Sequence, residues 1–171
     1  MTATLMISGD SLADNEKLDA LHDDIESDYE SVEHIGADAL DELAQDRLIV
    51  FDVREPDEFR VSHLEGAIRI DPDISADAFV EQYGDFLANR TTVFYCSVGR
   101  RSSILAERLD HVIESQGAVA SYNLVGGIFR WRNDQRPLVN ASGVTDAVHP
   151  YNRFWGRLIE DKQAIRFDTE D

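Results

Sequence analysis

Thr91-Thr92-Val93-Phe94-Tyr95-Cys96-Ser97-Val98-Gly99-Arg100-Arg101-Ser102-Ser103 passes from an apolar strand pattern, through a glycine-arginine-serine loop, into a helical pattern. That order of strand, loop and helix is the repeating unit of an α/β domain with a parallel sheet. It also puts the chain's single cysteine, Cys96, where the strand ends. A thiol is an effective nucleophile only as a thiolate, and a helix N-terminus, free backbone N–H groups and guanidinium groups all favour that form. Ser97 to Ser102 supply all three. Such surroundings lower a thiol pKa from ~8.5 into the range of roughly 3.5–7.5. The competing reading is a small apolar core residue, but a core cysteine has no need of the Gly99-Arg100-Arg101-Ser102 sequence that follows.

The same alternation extends outward from this stretch. Upstream, Leu48-Ile49-Val50-Phe51-Asp52-Val53 is a continuous apolar run ended by Arg54-Glu55-Pro56, the pattern of a strand buried on both faces. Pro56 suits the first position of a following helical turn. Residues 67–70 read as a short strand stopped by Asp71-Pro72, and residues 37–44 and 75–87 as helices. In the second of these helices Phe79, Tyr83, Phe86 and Leu87 share a side. Downstream, Leu105, Leu109, Val112 and Ile113 form the buried stripe of a helix over residues 101–116, which Gly117 terminates. Residues 119–125 read as a further strand, and Gly126-Gly127 opens a short helix through Trp131.

If the strands ending at Asp52 and Cys96 are parallel, Asp52, Arg54 and Cys96 emerge at one sheet edge, where open α/β sheets form their sites. Successive N–H groups of residues 97–101 can then turn toward the sulfur. Gly99 permits a left-handed backbone there, and Ser102 or Ser103 suits the helix cap.

The ends of the chain are less regular. Residues 1–30 form an acidic extension in which Leu18, Leu21 and Ile25 fit a short amphipathic helix between Asp14 and Glu26. A solvated, partly disordered arm fits the same composition. The domain is placed at 31–140. In the C-terminal extension, 141–171, the spacing of Tyr151, Phe154, Trp155, Leu158 and Ile159 predicts a helix against the domain, with an aromatic partner surface as the alternative.

Composition sets outer bounds. The 171 residues are 43% hydrophobic, enough for a folded core, and the longest apolar runs are far too short to cross a bilayer. Met1-Thr2-Ala3-Thr4-Leu5-Met6-Ile7 lacks the basic start and long apolar run of a signal peptide. One cysteine excludes an intramolecular disulfide and suits a reducing, cytoplasmic setting. With 16 basic against 34 acidic residues, a net of −18, nucleic acid and anionic membranes are poor partners by bulk charge. The five histidines show no metal-ligand spacing, so no metal site is read, and Gly126-Gly127 lacks a phosphate-binding fingerprint.

Five segments resemble the rhodanese family of sulfurtransferases, in the family's order. Asp52-Val53-Arg54-Glu55-Pro56-Asp57-Glu58-Phe59 is similar to its first signature, and His63-Leu64-Glu65-Gly66-Ala67-Ile68-Arg69-Ile70 to its second, with Ser62 where glycine often precedes the histidine. Cys96 to Ser102 resembles the active loop. Leu124-Val125-Gly126-Gly127-Ile128-Phe129-Arg130-Trp131 resembles the Gly-Gly-x-x-x-Trp element, and Pro137-Leu138-Val139 the closing segment.

The resemblance implies a rhodanese-like α/β domain with a mostly parallel central sheet flanked by helices on both faces. It further implies an enzyme that carries sulfane sulfur as a persulfide on Cys96, with no cofactor. The donor would be a small sulfur-containing anion such as thiosulfate, or a persulfide; the acceptor a thiol, cyanide or a protein. Ser97, Val98, Gly99, Arg100, Arg101 and Ser102 would form the loop, with Arg101 matching the family's arginine. Asp52, Arg54 and His63 are read as supporting residues. Two alternatives stand beside this reading: a non-catalytic interaction module of the same fold, and a cysteine phosphatase or arsenate reductase. Loops of the latter kind are one residue longer, whereas four residues separate Cys96 from Arg101 here.

The cations are 14 arginines and only Lys17 and Lys162. An acidic, lysine-poor surface is the pattern of proteins in concentrated salt, where carboxylate repulsion is screened within ~3 Å at about 1 M; an ordinary acidic protein is the other reading. A high-salt origin predicts a melting temperature that rises from low to multimolar KCl, and a melting temperature that does not rise contradicts it.

Overall fold

The computed structural model describes residues 9–168; residues 1–8, with the Met1–Ile7 start, and residues 169–171 lie outside the described residues. Along the chain run α1 (Gly9–Asp28), β1 (Glu33–Ile35), α2 (Ala37–Asp41), β2 (Leu48–Asp52), α3 (Pro56–Val61), β3 (Ile68–Arg69) and α4 (Ala76–Leu87). They are followed by β4 (Thr91–Tyr95), α5 (Arg100–Ser115), β5 (Ala120–Leu124), α6 (Gly127–Asn133), β6 (Leu138–Asn140) and β7 (Gly143–Thr145). Five strands form one sheet in the order β1-β5-β4-β2-β3, and every pairing in it is parallel. This is the α/β architecture the strand–helix alternation predicts.

The uninterrupted apolar runs of β2 and β4 follow from burial on two faces. Ile49, Phe51 and Phe94 join Phe79, Leu87, Leu105, Leu109 and Ile113 in one cluster, under α4 and α5. Val93 and Tyr95 point the other way, into a cluster with Ile35, Leu124, Ile128, Phe129 and Leu138. The described parts of both extensions contribute to that second face. Leu18 of α1 is buried in it, as are Val148 and Ile159 of the C-terminal segment. The acidic N-terminal stretch is therefore helical over 9–28, and it seats its apolar side on α6 and on the 155–158 turn. On the other face, Phe86 departs from its expected stripe and is exposed.

Two further expectations for the ends are corrected. The segment after Pro137 opens with an antiparallel hairpin of β6 and β7, signalled by the turn-forming Asn140-Ala141-Ser142-Gly143. The terminal helix over 151–159 is not formed; only a 3-10 turn, Trp155–Leu158, is present. Pro150 fixes the chain just before it, and Tyr151 has φ of +63°, outside the helical region. Ile159 is nonetheless buried, while Phe154 is exposed.

For the site, the decisive feature is the pairing of β2 with β4. Their register sets Asp52 beside Tyr95, so the chain leaves both strands at the same edge.

Candidate active site

Asp52 and Arg54 come out of β2 as a fully buried ion pair. Arg54 Nη2 donates to Asp52 Oδ2 at 2.6 Å and Nε donates to Oδ1 at 2.9 Å. Tyr95 of β4 donates its hydroxyl to Asp52 Oδ2 at 2.5 Å and accepts the Leu64 N–H at 3.1 Å. Arg54 Nη2 also donates to the Ser62 carbonyl at 2.6 Å. Burial opposes the Arg54 charge, but the Asp52 carboxylate outweighs it and holds the guanidinium charged. Removing one member of such a pair strands the other and costs about 3–5 kcal/mol. Asp52 and Arg54 thus tie β2, β4 and the 62–64 segment together under the site.

His63 belongs to the same scaffold. Its ring stacks on Phe59 with centroids 3.8 Å apart, its Nδ1 lies 2.9 Å from the Phe59 carbonyl, and its backbone bridges to Val139. Ser62, where the resemblance departs from glycine, has φ of −169°, extended backbone open to any residue.

Beyond β4 the chain turns back under Cys96. The Cys96 and Ser97 carbonyls accept the N–H groups of Ile128 at 2.9 Å and Phe129 at 3.1 Å. A Cβ on Gly127 would lie 2.4 Å from the Cys96 carbonyl oxygen, so only glycine lets α6 approach this closely. With those carbonyls drawn toward α6, the next N–H groups face the sulfur. The Gly99 N–H donates to Cys96 Sγ at 3.2 Å. Gly99, at φ of +104°, is itself the N-cap of α5. Ser102 and Ser103, expected as caps, sit inside α5 instead. The Ser103 hydroxyl donates to the Gly99 carbonyl at 2.8 Å, and Ser102 Oγ lies 2.6 Å from Asn123 Oδ1.

Cys96 is 1% exposed. Burial by itself pushes the thiol pKa up. The Arg101 charge, the Ser102 hydroxyl and the N–H groups of Ser102 and Val98 pull the other way and leave it below the ordinary thiol value. The arrangement favours the thiolate.

The two loop arginines do different things. Arg100 turns to the surface, where its Nη2 donates to Asp28 of α1 at 2.9 Å. Arg101 turns inward onto Glu58, donating from Nη1 at 2.8 Å and from Nη2 at 2.9 Å. Its Nη2 also reaches Ser97 Oγ at 2.9 Å, and the Ser97 hydroxyl donates to Glu58 Oε1 at 2.9 Å. Glu58 is the functional residue that the sequence reading left without a role. It is the third residue of α3, where its Oε2 accepts the Glu55 N–H at 3.1 Å in a reciprocal capping box. The Glu55-Pro56-Asp57-Glu58 stretch has a capping box's spacing but a glutamate in place of the usual short N-cap residue, so the box was not legible in the sequence. Burial tends to raise the Glu58 pKa, but the hydrogen bonds and charge of Arg101 overcome this and hold it below the ordinary carboxylate range.

Among the described residues, no three His, Cys, Asp or Glu side chains converge as metal ligands, and no helix is long and apolar enough to cross a membrane.

Fold and site together define a parallel α/β domain that presents a loop-cradled cysteine at the carboxyl edge of its sheet. The chain belongs to the rhodanese-like domain family, whose description matches residues 36–134. A tRNA uridine(34) hydroxylase of Chlamydia trachomatis serovar D is 31% identical over 103 residues, covering 54% of this chain and 31% of that protein. The chain thus spans about a third of the length of the curated relatives it matches. A thiosulfate sulfurtransferase of Pseudomonas aeruginosa is 16% identical over 72% of this chain and 23% of its own, with a TM-score of 0.54. A Bacillus halodurans protein is 18% identical over 67% of this chain and 81% of its own, with a TM-score of 0.50. Both structural likenesses are of fold.

Because the folded-state pKa of Glu58 is lowered, the stability it contributes is complete above the ordinary carboxylate range and is lost as the pH falls through the lowered value. Glu58→Gln is expected to cost about 1.5–3 kcal/mol at neutral pH, the scale of charged hydrogen bonds. The gap from wild type, read from urea denaturation, closes on acidification. A gap that stays constant with pH contradicts the ion-pair account.

Proposed function

We propose that the protein is a sulfurtransferase that carries sulfane sulfur as a persulfide on Cys96. The observation that carries this reading is the buried sulfur at the head of the loop, with the Gly99 N–H on it and the Arg101 charge lowering its pKa. In the first half-reaction the Cys96 thiolate attacks the outer sulfur of a donor such as thiosulfate. An Sγ–S bond forms, the donor's S–S bond breaks, and sulfite leaves with the electron pair. In the second, a thiolate or cyanide attacks the terminal sulfur, and the Sγ–S bond breaks to return the Cys96 thiolate. Each half-reaction is a displacement at sulfur that needs an activated thiolate and a cradle for the developing charge, and neither needs an external oxidant.

Arg101 has a second duty in this scheme. Three hydrogen bonds engage its two Nη groups with Glu58 and Ser97. A guanidinium has five N–H donors, so the Nε–H and one Nη1–H are left to hold an anionic donor. Arg100, paired with Asp28, is not assigned this role. The curated relatives named for tRNA hydroxylation are longer proteins that match this chain over a third of their length, and that name describes those whole proteins.

Intact-mass measurement after incubation with thiosulfate is expected to show a gain of one sulfur atom, reversed by cyanide, and no gain on Cys96→Ser. Arg101→Ala weakens use of the anionic donor by about 1.5–3 kcal/mol, the scale of a charged hydrogen bond. Absence of the adduct on wild type, or its presence on Cys96→Ser, overturns the reading.

A further inference from the structure

Residues 149–151 lie beyond the part of the chain that matches the family, yet they reach both walls of the Cys96 site. One wall is α3, which carries Glu58; the other is the first turn of α5, which carries Arg101. His149 is buried within electrostatic range of Glu58 on the first wall; burial lowers its pKa and the Glu58 carboxylate opposes this. Tyr151 meets the second wall, with its ring over the Arg101 guanidinium at 4.7 Å from centroid to Cζ. Two hydrogen bonds order the segment. The Tyr151 N–H donates to His149 Nδ1 at 3.1 Å, and the Val148 N–H donates to the Ala164 carbonyl at 2.9 Å.

Two features mark Tyr151 as more than packing. The first is its backbone, at φ of +63°. Among the described residues, the other two non-glycine residues with positive φ, Asn89 and Gln135, each follow the end of a helix, α4 and α6. Tyr151 ends no helix, and unfavourable backbone of this kind persists where the surrounding structure requires it. The second is what Arg101 does without Tyr151. Glu58 and Ser97 already fix the guanidinium, so the ring covers Arg101 and is not needed to support it. Cys96, whose thiol feels the Arg101 charge, is 1% exposed, while Tyr151 is 47% exposed.

We propose that Tyr151 is a specificity-determining residue of the sulfur site, a cover over Arg101 that admits a small anionic donor to Cys96 and holds back a bulky one. The identity of the donor rests on the sulfur-transfer reading; the control of access does not.

Cys96 is the only cysteine, so its modification in the full chain reports this site alone. Wild type, Tyr151→Phe and Tyr151→Ala are compared with iodoacetate, a small anion, and with dithiobis(nitrobenzoate), a bulky aromatic anion, at one pH. Both reagents consume the same thiolate, so their rate ratio reads access and not pKa. In Tyr151→Ala the rate with the bulky reagent is expected to rise about tenfold relative to iodoacetate, with the melting temperature unchanged. Tyr151→Phe, which keeps the stacked ring, stays at the wild-type ratio. An unchanged ratio in Tyr151→Ala, a parallel rise with both reagents, or Tyr151→Phe behaving as Tyr151→Ala overturns the proposal. A shifted ratio in a protein that takes no sulfur from thiosulfate supports the cover and counts against the sulfur reading instead.

Discussion

A buried thiolate is costly, and most of the architecture around Cys96 can be understood as offsetting that cost. The compensating charge is Arg101, which has its own burial to overcome and is held by the Glu58 carboxylate. Glu58 keeps its place because α3 begins there, with Pro56 setting the first turn and a capping box returning the carboxylate to the Glu55 N–H. That helix follows the Asp52–Arg54 pair, which Tyr95 fastens to the neighbouring strand. The chain of support therefore runs from sheet register to ion pair, to helix start, to carboxylate, to guanidinium, to sulfur.

The backbone makes the other contribution. Gly127 lets the start of α6 take the Cys96 and Ser97 carbonyls. Polar groups buried in a turn must find partners, so once those carbonyls are satisfied on one side, the N–H groups that follow are free to face the sulfur. This gives Gly127 a role in shaping the loop.

What was legible in the sequence was what periodicity and local chemistry encode. The apolar runs of β2 and β4 implied burial on two faces, and a parallel course for the two strands implied that Asp52, Arg54 and Cys96 emerge at one edge. Pairing over long distance was not legible. Glu58 and Arg101 are 43 positions apart, and only the family resemblance, not local chemistry, singled out Arg101, which turns inward, over Arg100, which meets Asp28. The C-terminal segment misled for a related reason. The aromatic spacing over 151–159 has a helical period, yet that stretch seats Ile159 in the core, leaves Phe154 exposed and carries Tyr151 to Arg101 through a backbone no helix allows.

The central claim is that Arg101, seated on Glu58, acts with the Ser102 hydroxyl and the loop N–H groups to offset burial and lower the Cys96 pKa. Titration of the thiolate by its ultraviolet absorbance, in wild type and in Arg101→Gln, tests it directly. The account predicts a wild-type midpoint below that of an ordinary free thiol and an upward move in the variant, since burial then acts with less opposition. A wild-type midpoint at or above the ordinary thiol value, or one that Arg101→Gln leaves in place, would contradict it.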